Sequence, residues 1–147
     1  MELAKKGFIG PHNDCLGPDV GTDPRIMTWI KDTYMQLYGE RDLNAAAVAT
    51  GKIISQGGIK GRRQATGLGA YMILKQLAWN DDFCDKADMS TGLRGKKIIV
   101  QGFGNVGYNF AKAAHSEGSR IIGIIEKDAG IFHSKGLNPD EVKEHFE

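Results

Sequence analysis

Cysteine is scarce in this 147-residue chain: Cys15 and Cys84 stand far apart, with no Cys-x-x-Cys and no histidine at a zinc-ligand interval. Both are expected to be reduced thiols in a non-oxidising compartment. An excess of one charge is lacking too, since 19 Lys and Arg oppose 18 Asp and Glu for a net charge of +1. Without basic blocks or interleaved aromatics, neither nucleic acid nor an anionic membrane surface is expected as the main partner. No apolar run approaches the ~20 residues that span a bilayer, and Met1-Glu2-Leu3-Ala4-Lys5-Lys6 lacks the apolar core of a signal peptide. The four histidines, His12, His115, His133 and His145, are scattered, each reading as a surface or helix-face residue. Asp81, Asp82, Asp85 and Asp88 lack the tight alternation and closing Glu of a calcium loop, so no metal is expected. There is no repeat and no low-complexity tract. The chain is 41% apolar and 25% charged, an ordinary soluble globular composition.

Glycine, by contrast, is abundant and organised. A strand-like run, Lys97-Ile98-Ile99-Val100-Gln101, leads into Gly102-Phe103-Gly104-Asn105-Val106-Gly107, and a second apolar strand from Ile121 to Ile125 ends on Glu126. Strand, glycines, helix, strand and acid in that order describe a dinucleotide-binding βαβ unit. Gly102 permits the tight turn, Gly104 lets backbone N–H groups approach a pyrophosphate, and Gly107 lets the helix pack close to the sheet. The helix N-terminus then offers unpaired N–H groups and a partial positive charge. Glu126, about twenty residues beyond the glycines, is placed to accept hydrogen bonds from the adenine ribose. A carboxylate there repels a 2′-phosphate and favours NAD, while the adjacent Lys127 leaves NADP open. The plain alternative is a Gly-rich turn that binds nothing.

Elsewhere, Thr22-Asp23-Pro24 marks a helix start, and Ile26, Ile30, Tyr34, Leu37 and Tyr38 recur at helical spacing until Gly39, predicting a helix over 24–38 with that face buried. Ala45 to Val48 reads as a short helix, and Ser55-Gln56-Gly57-Gly58 as a hinge between domains. A helix from about 64 to 79 follows, with Tyr71, Leu74 and Leu77-Ala78 as its apolar stripe, then a solvated connection from Asn80 to Gly92. Asp128-Ala129-Gly130 reads as a turn, and Asn138-Pro139-Asp140-Glu141 starts a last helix. Only two parallel strands are visible where a doubly wound sheet usually needs five or six, so the polypeptide reads as a piece of something longer.

Thr50-Gly51-Lys52, the run from Ser55 through Gly57-Gly58 and Gly61-Arg62 to Ala65-Thr66-Gly67, and Val100 through Gly107 together resemble the glutamate dehydrogenases and their amino-acid-dehydrogenase relatives. Gly10-Pro11 and Pro18-Asp19-Val20-Gly21-Thr22-Asp23 extend the match in register, with residues 81–94 fitting least. The resemblance implies an α/β chain: the end of an N-terminal substrate and assembly domain (1–58), then a truncated Rossmann-type nucleotide domain (59–147). It implies an NAD(P)-dependent, reversible deamination of L-glutamate to 2-oxoglutarate and ammonia by a homo-hexamer whose two domains close over a cleft. It further implies Asp19 as the catalytic acid shuttling protons to and from the substrate nitrogen and the attacking water, Arg62 as the group holding a substrate carboxylate, and Thr66 as a hydroxyl near the nicotinamide carboxamide. Without it, Asp19 reads as an Asx-turn acid near Thr22, Arg62 as a surface charge and Thr66 as a first-turn helix hydroxyl.

Departures are informative as well. The family's substrate-activating lysines are expected upstream of Met1, so this chain alone is not a complete catalyst. Cys15-Leu16-Gly17-Pro18 stands where a Val-Pro-Ala-Pro type run is common, and Lys60, Leu68 and Asn109 occupy positions that bind GTP in animal members, so strong GTP control is not expected. The style of the glycine run resembles mitochondrial members and implies the mitochondrial matrix, with the cytoplasm as alternative. The rival readings are a leucine or phenylalanine dehydrogenase and a non-catalytic structural or regulatory subunit of a larger assembly.

Overall fold

The computed structural model describes residues 2–146, and the chain divides into two compact units, Met1–Arg62 and Arg63–Glu147. The first is helical. A one-turn helix α1 (Glu2–Lys5) precedes a loop and α2 (Pro24–Tyr38), then two 3-10 turns, Ala45–Val48 and Ile54–Gln56. α2 starts where the sequence places it: the Asp23 carboxylate accepts the N–H groups of Arg25 and Ile26, and Pro24 sits where its missing donor is not needed. Its buried face is the expected one except at Leu37, which is 55% exposed: Tyr34 is buried, and Ile26, Ile30 and Tyr38 pack half-buried against the core. The face is also wider than expected, since Met27, Thr28 and Lys31 are buried. Thr28 and Lys31 have polar partners within the unit, described below. Met27 and Tyr34 pack with Ala45, Val48 and Ala49 as the core.

The second unit is the α/β part. α3 (Arg62–Ala78) and α4 (Asp81–Lys86) lead to β1 (Lys97–Gln101), α5 (Asn105–Ser116), β2 (Arg120–Ile125), β3 (Gly130–Leu137) and α6 (Pro139–Phe146). The sheet order is β1-β2-β3, with β1 parallel and β3 antiparallel to β2. Val100 of β1, Ile121 and Ile124 of β2, and Ala111 and Ala114 of α5 close the core with Tyr71, Ala78, Leu93 and Phe103. The small alanines of α5 allow helix and sheet to approach closely. α6 is clamped to α5 by Asp140, which accepts from Tyr108 Oη (2.8 Å) and Lys112 Nζ (2.9 Å). Lys112 and then Tyr108 hold the Asp140 carboxyl below its usual range, and the Asp140 carboxylate in turn holds the Lys112 ammonium above its own.

Three expectations are corrected here. The solvated connection after Asn80 contains α4, capped by Asn80 Oδ1 on the Phe83 N–H (2.8 Å), with Asp81 and Asp82 in the first turn and Cys84 buried. Of the proposed stripe on α3, Tyr71 and Ala78 are buried but Leu77 is 40% exposed. After Glu126 the chain turns, with the Glu126 N–H on the Ala129 carbonyl (2.8 Å), into β3, which the sequence reading omits. Nearly every β3 residue is exposed, so the two-residue alternation that advertises a strand is missing. Among the described residues no helix is long and apolar enough to cross a membrane.

Candidate functional site

In the second unit the candidate site is a corner of main chain. β1 runs out at Gln101, and the Gly102 N–H bonds the Ile125 carbonyl (2.8 Å), tying the ends of the two parallel strands together. Gly102 turns through φ +84° and Gly104 caps α5 in extended conformation without a side-chain hydrogen bond. The N–H groups of Asn105, Val106 and Gly107 at the start of α5 have no acceptor among the described residues, so three donors and the positive end of a three-turn helix face one spot. A Cβ on Gly107 would overlap the Gly102 carbonyl and press on Val100 Cγ1 at 3.2 Å, so only glycine permits this crossing of helix over turn. Phe103 contributes its backbone alone: its ring is 4% exposed and meets the Tyr108 ring edge-on at 5.9 Å.

Glu126 reaches this corner. Its carboxylate oxygen Oε1 accepts the Phe103 N–H, so the acid at the end of β2 stands against the glycine turn while Lys127 lies exposed beside it. Asn105 Nδ2 donates to the Arg63 carbonyl (2.5 Å) and Asn109 Nδ2 to the Asn105 carbonyl (2.7 Å), which fixes the first turn of α3, and with it exposed Thr66, beside the start of α5.

The first unit holds Asp19 and Arg62. Asp19 is exposed in the loop before α2, held by its N–H on Thr22 Oγ1 (2.7 Å), by Thr22 Oγ1 on its carbonyl (2.9 Å), and by its own Oδ1 on the Val20 N–H (2.8 Å). One carboxylate oxygen is thus used locally, on the N–H of the next residue rather than two residues on as an Asx turn would use it, and Oδ2 has no partner among the described residues. Segment 16–18 lies beside 48–51 through Leu16 N–H on Val48 O (2.9 Å) and Thr50 N–H on Leu16 O (2.7 Å). Gly51 fills the gap between neighbours: a Cβ there would stand 2.7 Å from Pro18 Cγ and 3.9 Å from Arg62 Cγ. The Asp19 loop and Arg62 therefore meet across Gly51. A cavity of about 230 Å³ opens there, lined by Thr50, Gly51, Lys52, Gly57, Gly58 and Arg62 among others. The Arg62 guanidinium has no hydrogen bond or ion pair among the described residues, whereas Lys52 Nζ is spent on the carbonyls of Ala46 (3.0 Å) and Ala49.

Sequence reasoning thus names residues that fall into two sets, Gly102 to Gly107 with Glu126 and Thr66 in one unit and Asp19 with Arg62 in the other. It missed the groups that hold the second set in place, Thr28, Lys31 and Lys52. Polar residues at helical spacing on α2 were the available signal.

The family model for glutamate/leucine/phenylalanine/valine dehydrogenases matches residues 57–147, and the model for the dimerisation domain of glutamate/leucine/phenylalanine/valine dehydrogenases matches residues 1–36. The mitochondrial glutamate dehydrogenase of Dictyostelium discoideum is 40% identical over 143 residues, 97% of this chain and 28% of that protein. The NADP-specific glutamate dehydrogenase of Saccharolobus shibatae is 35% identical over 137 residues, 93% and 30% respectively. Among solved structures, the hetero-hexameric glutamate dehydrogenase of Thermus thermophilus in its leucine-bound form has a TM-score of 0.78 at 35% identity, over 99% of this chain and 32% of that one. The chain therefore spans no more than 32% of the length of these proteins.

Proposed function

Because the chain belongs to the glutamate/leucine/phenylalanine/valine dehydrogenase family, we propose that it is the central part of a glutamate dehydrogenase subunit, which as a whole deaminates L-glutamate reversibly to 2-oxoglutarate and ammonia with NAD(P). The observation that carries this reading is the corner at the end of β1, where three unpaired N–H groups of α5 stand beside the Glu126 carboxylate. Those donors suit a pyrophosphate, and Glu126 suits two ribose hydroxyls. A carboxylate in that place disfavours a 2′-phosphate, so NAD is the preferred coenzyme, and exposed Lys127 is the group through which NADP is admitted. Bound there, NAD(P) supplies the acceptor for the hydride of the substrate α-carbon. Thr66, next to the first turn of α5, orients the carboxamide with its hydroxyl.

Arg62, with its guanidinium uncommitted, holds a substrate carboxylate through paired hydrogen bonds. Asp19 manages protons: as hydride leaves, the amine becomes an iminium, water adds to its carbon and ammonia departs, and the free Oδ2 takes the water proton and returns it to the leaving nitrogen. The domain division is proposed at residue 58, with the substrate and assembly part before it and the nucleotide part after it. The whole subunit is proposed to form a homo-hexamer in the mitochondrial matrix.

The test is NAD reduction by the full-length subunit with glutamate, leucine and phenylalanine. Glutamate is expected to win by about tenfold or more in kcat/KM, since an apolar side chain offers the Arg62 guanidinium no carboxylate to pair with. Asp19→Asn is expected to lower kcat by about 10²–10⁴-fold. Preference for an apolar amino acid overturns the substrate, unchanged turnover in Asp19→Asn overturns its role, and no turnover with any of the three identifies a non-catalytic subunit.

A further inference from the structure

From α2 we infer a positioning residue for the same reaction: Lys31 acts through Gln56 to set the turn that delivers Arg62 to the cavity at Gly51. This rests on the function proposed above. Burying an ammonium costs free energy unless partners replace its water. Lys31 is only 8% exposed, and its Nζ lies 2.6 Å from Asp32 Oδ1 and donates to Gln56 Oε1 at 3.2 Å. Asp32 alone would satisfy the charge at the surface, half-exposed as it is. The inward placement is therefore explained by Gln56, 25 residues away in sequence.

One turn earlier on the same face, Thr28 is 6% exposed and uses its hydroxyl twice, donating to the Pro24 carbonyl (2.8 Å) and accepting the Ile53 N–H (3.2 Å). α2 thus grips the 3-10 turn Ile54–Gln56 at both ends, Ile53 through Thr28 and Gln56 through Lys31. That turn closes on itself with Gln56 N–H on Ile53 O (2.8 Å) and Gly58 N–H on the same carbonyl (3.1 Å). Gly57, Gly58 and Ile59 line the cavity, and residues 57–61 are all that separate the turn from Arg62. The other end of α2 begins at Asp23, four residues past Asp19. One helix therefore carries the acid loop at its start and holds the arginine loop at its middle, as a strut between the two groups that must meet the substrate.

A strut that sets Arg62 affects ground-state and transition-state binding alike, so its loss appears in KM with kcat retained. In the full-length subunit, Lys31→Met and Gln56→Leu are each expected to raise KM for glutamate about five- to tenfold, with kcat within about twofold of wild type. The double variant should be no worse than either single one, and Lys31→Arg should recover most of the loss. Amide hydrogen exchange over residues 53–61 should quicken in both single variants and stay unchanged in β1 and β2. Unchanged KM in both variants overturns the inference, including the case in which Lys31→Met merely lowers the melting temperature. Should Lys31→Met not fold, Gln56→Leu, at an exposed position, decides alone. If wild type does not turn over glutamate, the proposed function fails first, and unchanged exchange over 53–61 then overturns the strut independently.

Discussion

At the corner of the second unit, what is offered to a ligand is main chain, the N–H groups of Asn105, Val106 and Gly107, and their places follow from the strand and helix that carry them. In the first unit it is side chain: Asp19 stands on a loop and Arg62 at the very start of α3, and their relation depends on Thr22, Gly51, Thr28 and Lys31. The difference teaches how each site should fail. A site made of backbone is lost whole where an added atom meets main chain, as at Gly107, whereas a site held by side-chain contacts loosens by degrees as contacts are removed.

The sharpest way to break that contrast is Gly107→Ala. With the Gly102 carbonyl already where the new Cβ must go, α5 has to lift from the turn. NADH affinity of the full-length subunit, read by fluorescence titration, is expected to fall at least about a hundredfold, with about 2–4 kcal/mol of stability lost. Wild-type affinity in that variant would remove the distinction altogether. Glu126→Gln probes the one side chain in the backbone corner. It keeps an acceptor for the Phe103 N–H and removes the charge, so the NAD-to-NADP ratio of kcat/KM should move about tenfold toward NADP with little change in stability.

The smallest effect belongs to Asp23, whose carboxyl is held below its usual range chiefly by the Ile26 N–H at the start of α2. A folded pKa below the unfolded one means stabilisation that is complete above the ordinary carboxylate pKa and fades as pH falls through the depressed value. Asp23→Ala should therefore melt a few degrees below wild type at neutral pH, and the two melting curves should converge in strong acid.

The same contrast governs what could be read in advance. Gly102, at φ +84°, and Gly107, whose Cβ would meet the Gly102 carbonyl, are dictated by backbone geometry local to one turn, and such demands are written into residue type at fixed spacing. The start of α2 was equally legible because Asp23 and Pro24 act within three residues of themselves. The burial of Thr28 and Lys31 on α2 was not. Lys31 reads as solvated until Gln56 is known to lie against it, a contact spanning 25 residues. α4 was hidden by its aspartates, which read as a solvated stretch although Asn80 caps them, and β3 by exposure on both faces. For Asp19 and Arg62 residue type alone left the bland readings standing, and the family resemblance supplied their roles.

β3 has a consequence for how the sheet grows. Lying antiparallel against β2, it occupies one flank of that strand while β1 occupies the other. Its own outer margin carries His133, Ser134 and Lys135 and leaves its plane at Gly136, where φ is +109°, a poor template for another chain. β1 presents Ile98 and Ile99, the latter 56% exposed, along an unbroken five-residue run. Growth of this sheet is thereby favoured on one side: among the described residues the outer edge of β1 is left unpaired on a regular strand, whereas the edge of β3 is polar and bent at Gly136 and discourages a further strand.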